Sequence, residues 1–199
     1  MSFKARELVI SPVSLVIVRE FIERHHYSHS VNGVKVTQCF AVTHNAELVG
    51  AVLFGAMSTT AWKKFGSTEM EVLELRRLVL LDEAGRNSES RTIAATLHWI
   101  KKNCPQVHVI VSYADPNHGH TGTIYRAANF KYLGLSGKDS GYRDTQTGKM
   151  YHSRALRTKY KGEFKPFVKR LRDRKERGLL VPVPLLGKHC FVYNLTRKP

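Results

Sequence analysis

The chain has 199 residues, 42% of them hydrophobic and 24% charged, which indicates an ordinary globular protein of one domain with room for an appendage. Lys and Arg number 32 against 16 Asp and Glu, and the formal charge of +16 predicts a polyanionic partner, nucleic acid ahead of a membrane surface, although a basic protein without such a partner stays open. Three widely spaced cysteines without a CxxC pair exclude a disulfide frame or zinc cluster, and the lack of a signal peptide or of an apolar run of about 20 residues predicts a cytoplasmic protein without a membrane span.

The first half of the chain predicts a helix, a hairpin, a strand and a second helix. Residues 13–24 carry apolar side chains at helical spacing, and Ser11-Pro12 before them is typical of a cap followed by a first-turn proline. Two strand-like runs, 38–43 and 48–56, are joined by a short polar turn, as in a β-hairpin. The later elements are an irregular segment at 58–69, a strand at 72–81, a loop at 82–90 and an amphipathic helix at 92–102.

The segment 107–130 has the layout of a ligand site. Residues 107–111 are rich in β-branched side chains, which indicates a buried strand, and Ser112 and Asp115 stand near its end. A glycine-rich loop and a helix that carries Tyr125 follow. Polar groups at the carboxyl end of a buried strand, facing a helix start, are where open α/β sheets bind ligands. We expect the backbone N–H groups from Gly119 to Thr123 to face such a ligand.

The order of elements predicts an α/β (α+β) fold with a mixed central sheet flanked by helices, and a short strand at 131–135. The composition shifts near Ser153, since residues 154–177 hold eleven basic and three acidic side chains. The predicted organisation is a catalytic core at 1–152 and a basic C-terminal extension at 153–199, packed on the core. Within it we expect a helical or extended arm, an apolar docking segment from Val181, and a returning strand at 188–195.

This order of elements resembles the core of GNAT acyltransferases. In that fold the fourth and fifth strands splay apart to admit the acyl donor, and a tyrosine of the next helix commonly protonates the leaving thiolate; by position this is Tyr125. Three stretches resemble the Mom-type DNA-modification proteins of bacteriophages more closely: His26-Tyr-Ser28; Glu74-Leu-Arg-Arg-Leu-Val-Leu80 with Asn87-Ser-Glu-Ser-Arg91; and Ser112-Tyr-Ala-Asp-Pro116 through Gly119-His-Thr-Gly-Thr-Ile-Tyr125 to Asn129. The resemblance implies carbamoylmethylation of adenine N6 in double-stranded DNA, which protects phage DNA, in the cytoplasm of the host, from restriction.

The candidate site residues fall into three groups, each with an alternative. In the catalytic group we expect His26 to accept a proton. The alternatives are that the histidine ends a helix beside a packed tyrosine, that the arginine forms an ion pair, and that the aspartate caps the next helix. Trp62, in the third group, fits a core aromatic as well as a ring that stacks on a flipped base. The catalytic group is His26, Tyr27, Arg77, Ser112, Asp115 and Tyr125; the donor-binding group is Asn87, Ser88, Ser90, Gly119 and Gly122; the nucleic-acid group is Trp62, Lys63, Lys64, Lys159, Lys161, Lys165, Lys169, Arg170 and Arg172.

The donor stays open between acetyl-CoA and a glycyl donor such as glycyl-tRNA, which would make tRNA a second partner beside double-stranded DNA. Where GNAT enzymes have a glycine-rich pyrophosphate loop, this chain has Gly85-Arg-Asn-Ser-Glu-Ser90, in which Ser88 or Ser90 would cap the helix. No metal site is predicted, since the spacing of candidate ligands does not support iron or another metal. No membrane partner is expected, and the oligomeric state is left open. The alternative functions are a conventional acetyltransferase for tRNA or protein and a non-catalytic DNA-binding module.

Overall fold

A computed structural model describes residues 3–57, 60–137 and 139–195. The chain forms two compact units, the first within residues 1–114, 121–134 and 189–199, the second within 115–120 and 135–188. In the described ranges the helices and strands are β1 (Val9–Val13), α1 (Leu15–His25), β2 (Val36–His44), β3 (Glu47–Ala56), β4 (Val72–Leu80), α2 (Ser88–Asn103), β5 (Val109–Ala114), α3 (Thr123–Ala127), β6 (Lys131–Leu135), β7 (Asp139–Asp144), β8 (Met150–His152), β9 (Lys159–Tyr160), β10 (Glu163–Phe164), α4 (Pro166–Glu176), β11 (Leu180–Leu185) and β12 (His189–Asn194).

The first unit is built on a mixed sheet with the strand order β1-β2-β3-β4-β5-β12-β6. The pairings of β1 through β4 and of β5 with β12 are antiparallel, and β4 and β5 are parallel. The predicted hairpin is β2–β3, and its turn residues Asn45 and Ala46 have φ of 50° and 67°. Positive φ at both central residues gives the turn whose twist matches the two strands. The predicted mixed α/β fold is therefore confirmed.

Helices cover both faces of this sheet. On one face α2 and α3 pack over a core that includes Phe40, Phe54 and Ile110. On the other face α1 buries Val18 and Ile22. The helix predicted at 13–24 begins later, at Leu15, and Ser14 rather than Ser11 precedes it. The reason is that residues 9–13 form an edge strand against β2, where a proline without an N–H is tolerated.

The pairing between β4 and β5 stops part-way along both strands. Parallel partners run from Val72 and Val109 to Leu75 and Ser112. Beyond them β4 stays with β3 up to Leu80, while β5 stays with β12 up to Ala114. A bulge in β4 falls at Arg76, because Phe54 pairs with Leu75 and Leu53 with Arg77. The two strands therefore open into a wedge beside Ser112.

The second unit has its own small core under the sheet β11-β7-β8. Leu156, Leu171 and Leu180 are buried there against Tyr142 and Tyr151. The basic segment is partly helical, as α4, and partly the short β9–β10 hairpin, while the segment from Val181 forms β11 on β7. The change in composition at Ser153 set the predicted boundary between 1–152 and 153–199. This position lies inside the second unit, because the compact units follow strand pairing.

A buried carboxylate joins the turn after β7 to α4. Asp144 is 1% exposed, and the Arg174 guanidinium donates to its two oxygens at 2.7 and 2.8 Å. The N–H groups of Gln146 and Thr147 also donate to this carboxylate. The Arg174 hydrogen bond, against the opposing effect of burial, lowers the pKa of Asp144 to about 2. Arg174 therefore has a structural partner and stabilises the fold of the unit.

No helix in the part of the chain that the structure describes is long and apolar enough to cross a membrane.

Candidate active site in the first unit

Tyr125 lies at the closed end of the wedge between β4 and β5. Its helix, α3, has Gly122 as the N-cap residue, with φ of +78°, and a Cβ at this position would collide with the ring of Phe191. Only glycine fits both requirements, so Gly122 allows α3 to approach β12 closely. The Tyr125 ring is buried against Phe130 and Phe191, with ring centroids 5.7 and 5.3 Å away. The ring is thus fixed, and the position of its hydroxyl with it.

Ser112 holds that hydroxyl at the point where the strands part. The two side chains share a hydrogen bond, and Ser112 Oγ donates to the Leu75 carbonyl at 3.4 Å. Burial raises the pKa of Tyr125 to about 12; the Ser112 bond opposes this, and the nearby Tyr27 and Glu74 add to it. The phenol is therefore protonated at neutral pH and can act as a proton donor. The structure brings together three residues from distant parts of the sequence: Tyr27, Ser112 and Tyr125.

His26 follows α1 and is buried, with 6% of its surface exposed, whereas Tyr27 is 44% exposed. The backbone N–H of Ser28 donates to His26 Nδ1 at 3.1 Å, and Ser28 Oγ lies 2.8 Å from the same nitrogen. Because a backbone N–H can only donate, Nδ1 is the acceptor, and the neutral ring carries its proton on Nε2. In this tautomer Nε2 is a hydrogen-bond donor. The geometry therefore favours a donor role over the predicted role of proton acceptor.

Arg77 links β4 to the loop that holds His26. Its Nε and Nη2 donate to the Ser30 carbonyl at 3.2 and 3.1 Å, and its Nη1 donates to the Arg76 carbonyl at 2.7 Å. Burial lowers the pKa of the Arg77 guanidinium. The ion pair considered as the alternative role of Arg77 is formed by its neighbour instead: Arg76 Nη1 lies 2.9 Å from Glu74 Oε1. Arg77 thus ties the loop that holds His26 to β4, and a catalytic role for Arg77 stays a prediction.

Glu74 lies in the second stretch that resembles the Mom-type proteins and is not among the predicted site residues. Its side chain is 12% exposed and the paired Arg76 side chain 18% exposed, and the charge of Glu74 contributes to raising the pKa values of Tyr113, Tyr125 and Cys190. Arg76 Nε is buried with no partner among the described residues. The sequence signal for Glu74 was an acidic and a basic residue two positions apart in an apolar strand. Burying two such charges costs desolvation free energy, so the pair indicates a functional role.

Trp62 lies in a short 3-10 turn, Ala61–Lys64, on the sheet face that carries Val72 and Cys190. Its ring is partly buried against that cluster, and the Lys63 ammonium lies 5.7 Å from the ring centroid. This packing supports the core-aromatic alternative, and the exposed part of the ring leaves base stacking as a prediction. Lys64 is exposed on the same turn.

The amino end of α2 carries three of the five predicted donor-binding residues, Asn87, Ser88 and Ser90. Asn87 is the N-cap residue, with φ of 70° and no side-chain cap bond. The expectation that Ser88 or Ser90 caps the helix is wrong: Ser88 is the first helical residue, and Ser90 Oγ donates to the Asn87 carbonyl. Ser88 Oγ and Thr92 Oγ1 are buried and have no partner in the described part of the chain.

A cleft of about 760 Å³ runs along α2, a size that suits small-molecule ligands. Basic side chains and amides form much of its wall: Arg6, Arg91, His98, Lys101, Asn87 and Asn129. A basic cleft beside a helix start without a side-chain cap fits the phosphates of an anionic donor.

Asp115 belongs to the second unit, and its contacts are those of a cap. Asp115 Oδ1 accepts from the N–H and the side-chain amide of Asn117 at 3.0 and 2.8 Å, and Oδ2 lies 2.8 Å from Lys188 Nζ. Burial would raise the pKa of Asp115, but Lys188 and Asn117 together lower it. The carboxylate is therefore ionised at neutral pH, and its catalytic role stays a prediction.

Gly119 differs from expectation, because its N–H donates to the Pro116 carbonyl at 3.1 Å. The turn closes on itself, and this N–H does not face a ligand. No group of three His, Cys, Asp or Glu side chains placed to hold a metal ion occurs within the described ranges.

Comparison with known proteins decides the family. The model of the Mom protein family matches residues 7–198. The chain belongs to the Mom protein family. The methylcarbamoylase mom of Escherichia phage Mu is 30% identical over 138 residues, which cover 67% of this chain and 56% of that protein. This Mom-family chain thus spans little more than half the length of its curated relative.

Solved structures with the same fold are acetyltransferases. The ribosomal-protein-S18-alanine N-acetyltransferase of Escherichia coli matches with a TM-score of 0.52 at 10% identity, over 96% of each chain. Arabidopsis thaliana NAA60 in complex with acetyl-CoA matches with a TM-score of 0.52 at 12% identity, over 94% of this chain and 99% of that one. At these identities the likeness establishes a GNAT-like fold for this Mom-family chain.

Proposed function

We propose that this chain transfers a carbamoylmethyl-type group to N6 of adenine in double-stranded DNA and so protects phage DNA from host restriction. The observation that carries the proposal is the buried Tyr125–Ser112 pair at the wedge between β4 and β5 of a Mom-family chain. Its relative in phage Mu is named a methylcarbamoylase, and the net charge of +16 suits a polyphosphate substrate.

The target base has to leave the duplex before its amine can react. We place the flipped adenine between the Trp62 turn and the His26–Tyr27 loop, both of which belong to the first unit. Exposed Tyr27 supplies a ring for the base to stack on, and His26 Nε2–H supplies a donor for a ring nitrogen or a developing oxyanion. Arg77 keeps this loop in place through Ser30.

The exocyclic amine is a weak nucleophile, because its lone pair is delocalised into the ring. Two carboxylates are candidates for its proton: Glu74, beside the wedge, and Asp115, which the sequence predicts. Tyr125 protonates the leaving group of the donor. Glu74→Gln and Asp115→Asn separate the two carboxylates, since only the loss of the true acceptor removes the ionisation of that group from the dependence of rate on pH.

The donor is an activated acyl compound whose phosphates would lie at the amino end of α2, against Arg91 and the uncapped N–H groups. A carbamoylmethyl product is not an acyl group, and a glycyl donor such as glycyl-tRNA accounts for it. N6 attacks the glycyl ester carbonyl and releases the alcohol. The free glycyl amine then attacks C6, the bond from C6 to the amide nitrogen breaks, and that nitrogen leaves as the terminal amide.

The test is mass spectrometry of nucleosides from the DNA of cells that express the chain, with labelled glycine or labelled acetate in the medium. A carbamoylmethylated deoxyadenosine that carries glycine label supports the proposal and the glycyl donor, while acetyl label in that nucleoside would contradict the glycyl route. Duplex binding with no change in base mass would indicate a non-catalytic module. Acetylated amines on protein or tRNA would indicate a conventional acetyltransferase. Modified DNA that restriction enzymes still cut would contradict the protective role.

A further inference from the structure

The aromatic side chains of the second unit carry basic groups close to their rings. Tyr160 lies 4.9 Å from Lys165 Nζ and 5.8 Å from Lys161 Nζ, measured from the ring centroid. Phe164 lies 4.7 Å from the Arg172 guanidinium and 5.1 Å from Lys159 Nζ. Tyr142 lies 4.9 Å from Lys175, and Tyr151 lies 5.8 Å from Lys149. Aromatic rings and cations therefore lie side by side at several positions on this surface, and not in one contact only.

A cleft of about 460 Å³ lies in the same unit, between α4 and the 3-10 turn Ser153–Leu156. Three cations line it, Arg157, Arg172 and Lys175, against one acid, Glu176. The two guanidinium groups are anchored, because Arg157 Nη2 donates to Ser153 Oγ at 3.2 Å and Arg172 Nη1 donates to the Leu156 carbonyl at 3.4 Å. Anchored cations around a cavity of ligand size are typical of an anion-binding site.

Arg172 joins these two features into one surface. It lines the cleft, and it also lies over the Phe164 ring of the β9–β10 hairpin. Tyr160, at the other end of the hairpin, is 59% exposed, although burying a tyrosine ring stabilises a fold. We call the surface formed by Arg157, Tyr160, Phe164, Arg172 and Lys175 the α4–hairpin surface.

The chemistry of this surface selects between paired and unpaired strands. Duplex DNA presents phosphates, which cations alone can bind, and keeps the faces of its bases stacked. An unpaired strand exposes those faces, and base stacking on aromatic rings between phosphate-binding cations is the usual mode of single-strand recognition. Rings held beside cations add nothing to the grip on a duplex, and they match a strand whose bases are turned outward.

We propose that the α4–hairpin surface binds an unpaired DNA strand. One base enters the cleft against Tyr142, the phosphates contact Arg157, Arg172 and Lys175, and neighbouring bases stack on Tyr160 and Phe164. This rests on the proposed function, since extraction of an adenine leaves unpaired nucleotides that need to be held. The surface would therefore favour the opened DNA over the closed duplex.

The experiment measures binding of the full chain by fluorescence anisotropy to three probes of equal length: a thymidine single strand, a blunt DNA duplex and a uridine RNA strand. Tyr160→Ala is the main variant because Tyr160 is exposed, and Tyr160→Phe is its matched control, which keeps the ring. We expect Tyr160→Ala to weaken single-strand binding by about fivefold or more, from the loss of one stacked base, with the duplex affinity nearly unchanged.

Arg172→Lys keeps the charge and loses the planar group over Phe164. We expect it to weaken single-strand binding at an unchanged salt dependence, whereas Lys102→Ala, an exposed lysine on α2, should leave the preference between the strands unaltered. Equal losses on single strand and duplex for Tyr160→Ala would overturn the proposal, as would tighter binding of RNA than of DNA. Base modification is measured separately, so single-strand binding without modified adenine would refute only the proposed function.

Discussion

The candidate catalytic groups of the first unit and the basic side chains of the hairpin in the second unit are held in opposite ways. In the first unit Tyr125, Ser112 and His26 are buried and fixed by hydrogen bonds to neutral groups such as the Leu75 carbonyl and the Ser28 N–H. In the second unit the basic side chains of the hairpin lie over partly exposed rings in contact with water. Burial shifts pKa values and fixes direction, which is what proton transfer requires. Exposed charge gives long-range attraction that salt screens, which is what binding a polyanion requires.

From this difference we expect substitutions in the two units to have different effects. A change in the first unit should alter the rate of modification without a change in salt dependence. A change in the basic surface of the second unit should alter DNA affinity and its salt dependence. Asp115 tests this difference between the units, because it belongs to the second unit and is nevertheless predicted to be catalytic.

The largest effects are expected at His26 and Asp115. His26→Ala and Asp115→Ala should each abolish base modification, and DNA binding should stay nearly intact, since neither is expected to contact phosphate. Nucleoside mass spectrometry and binding titrations measure both quantities.

A matched variant tells which role His26 has. His26→Gln keeps a donor near the Nε2 position and cannot accept a proton at neutral pH. Activity close to wild type would support the donor role that the Ser28 contact favours, whereas an inactive glutamine variant would restore the proton acceptor. If Asp115→Ala instead keeps its activity, Asp115 only caps the turn 116–118 and pairs with Lys188.

Tyr125 comes next. Tyr125→Phe keeps the buried ring and removes the hydroxyl that Ser112 holds, so we expect modification to fall by roughly 10²-fold with the fold intact. Tyr113→Phe is the control, because Tyr113 is a half-buried tyrosine of the neighbouring strand β5 whose hydroxyl bonds to Cys190. Equal rates for the two variants would make Tyr125 a packing residue.

The sequence predicted elements best where periodicity is strong. The hairpin β2–β3, the strand β4 and the helix α2 lie close to the expected residues because their apolar spacing is regular and their turns carry asparagine or glycine. β1 was missed because Pro12 indicates a helix start on local evidence, and only the pairing with β2 makes it an edge strand. β7 and β8 were missed as well, since residues 139–152 are polar and gain their structure from β11.

The candidate site could be predicted in part for the same reason. The motif residues Tyr27, Ser112 and Tyr125 are brought together, and a strand end followed by a helix start is a local pattern. The ionised pair Glu74–Arg76 and the tautomer of His26 depend on a bulge and on a backbone N–H, which no spacing rule contains. Gly119 misled for a related reason, because a glycine indicates a turn and does not tell where the N–H groups of that turn point.

The basic surface should show a moderate effect of a different kind. Replacing Lys165, Lys169, Arg170 and Arg172 together with alanine should weaken duplex binding and reduce the slope of log affinity against log salt by several units, since each phosphate contact releases counterions. Titrations over a range of salt concentrations measure the slope. An unchanged slope would mean that these side chains only solvate the surface of α4 and do not bind DNA.

The smallest effect concerns the fold of the second unit alone. The pKa of Asp144 is about 2 in the folded chain, below its value of about 4 in the unfolded chain, so ionised Asp144 stabilises the folded state above pH 4 and this contribution is lost as the pH falls through about 2. Asp144→Asn keeps an acceptor for the N–H groups of Gln146 and Thr147 and removes the charge that pairs with Arg174. We expect a lower unfolding temperature than wild type at neutral pH and a difference that closes toward pH 2, measured by circular dichroism.

Asp173→Asn is the control, since Asp173 and Arg177 form an exposed pair one helical turn apart, with side chains 54% and 69% exposed, and such pairs contribute little. A difference between wild type and Asp144→Asn that persists at pH 2 would show that the packing around Asp144, and not its charge, holds α4 to the turn after β7.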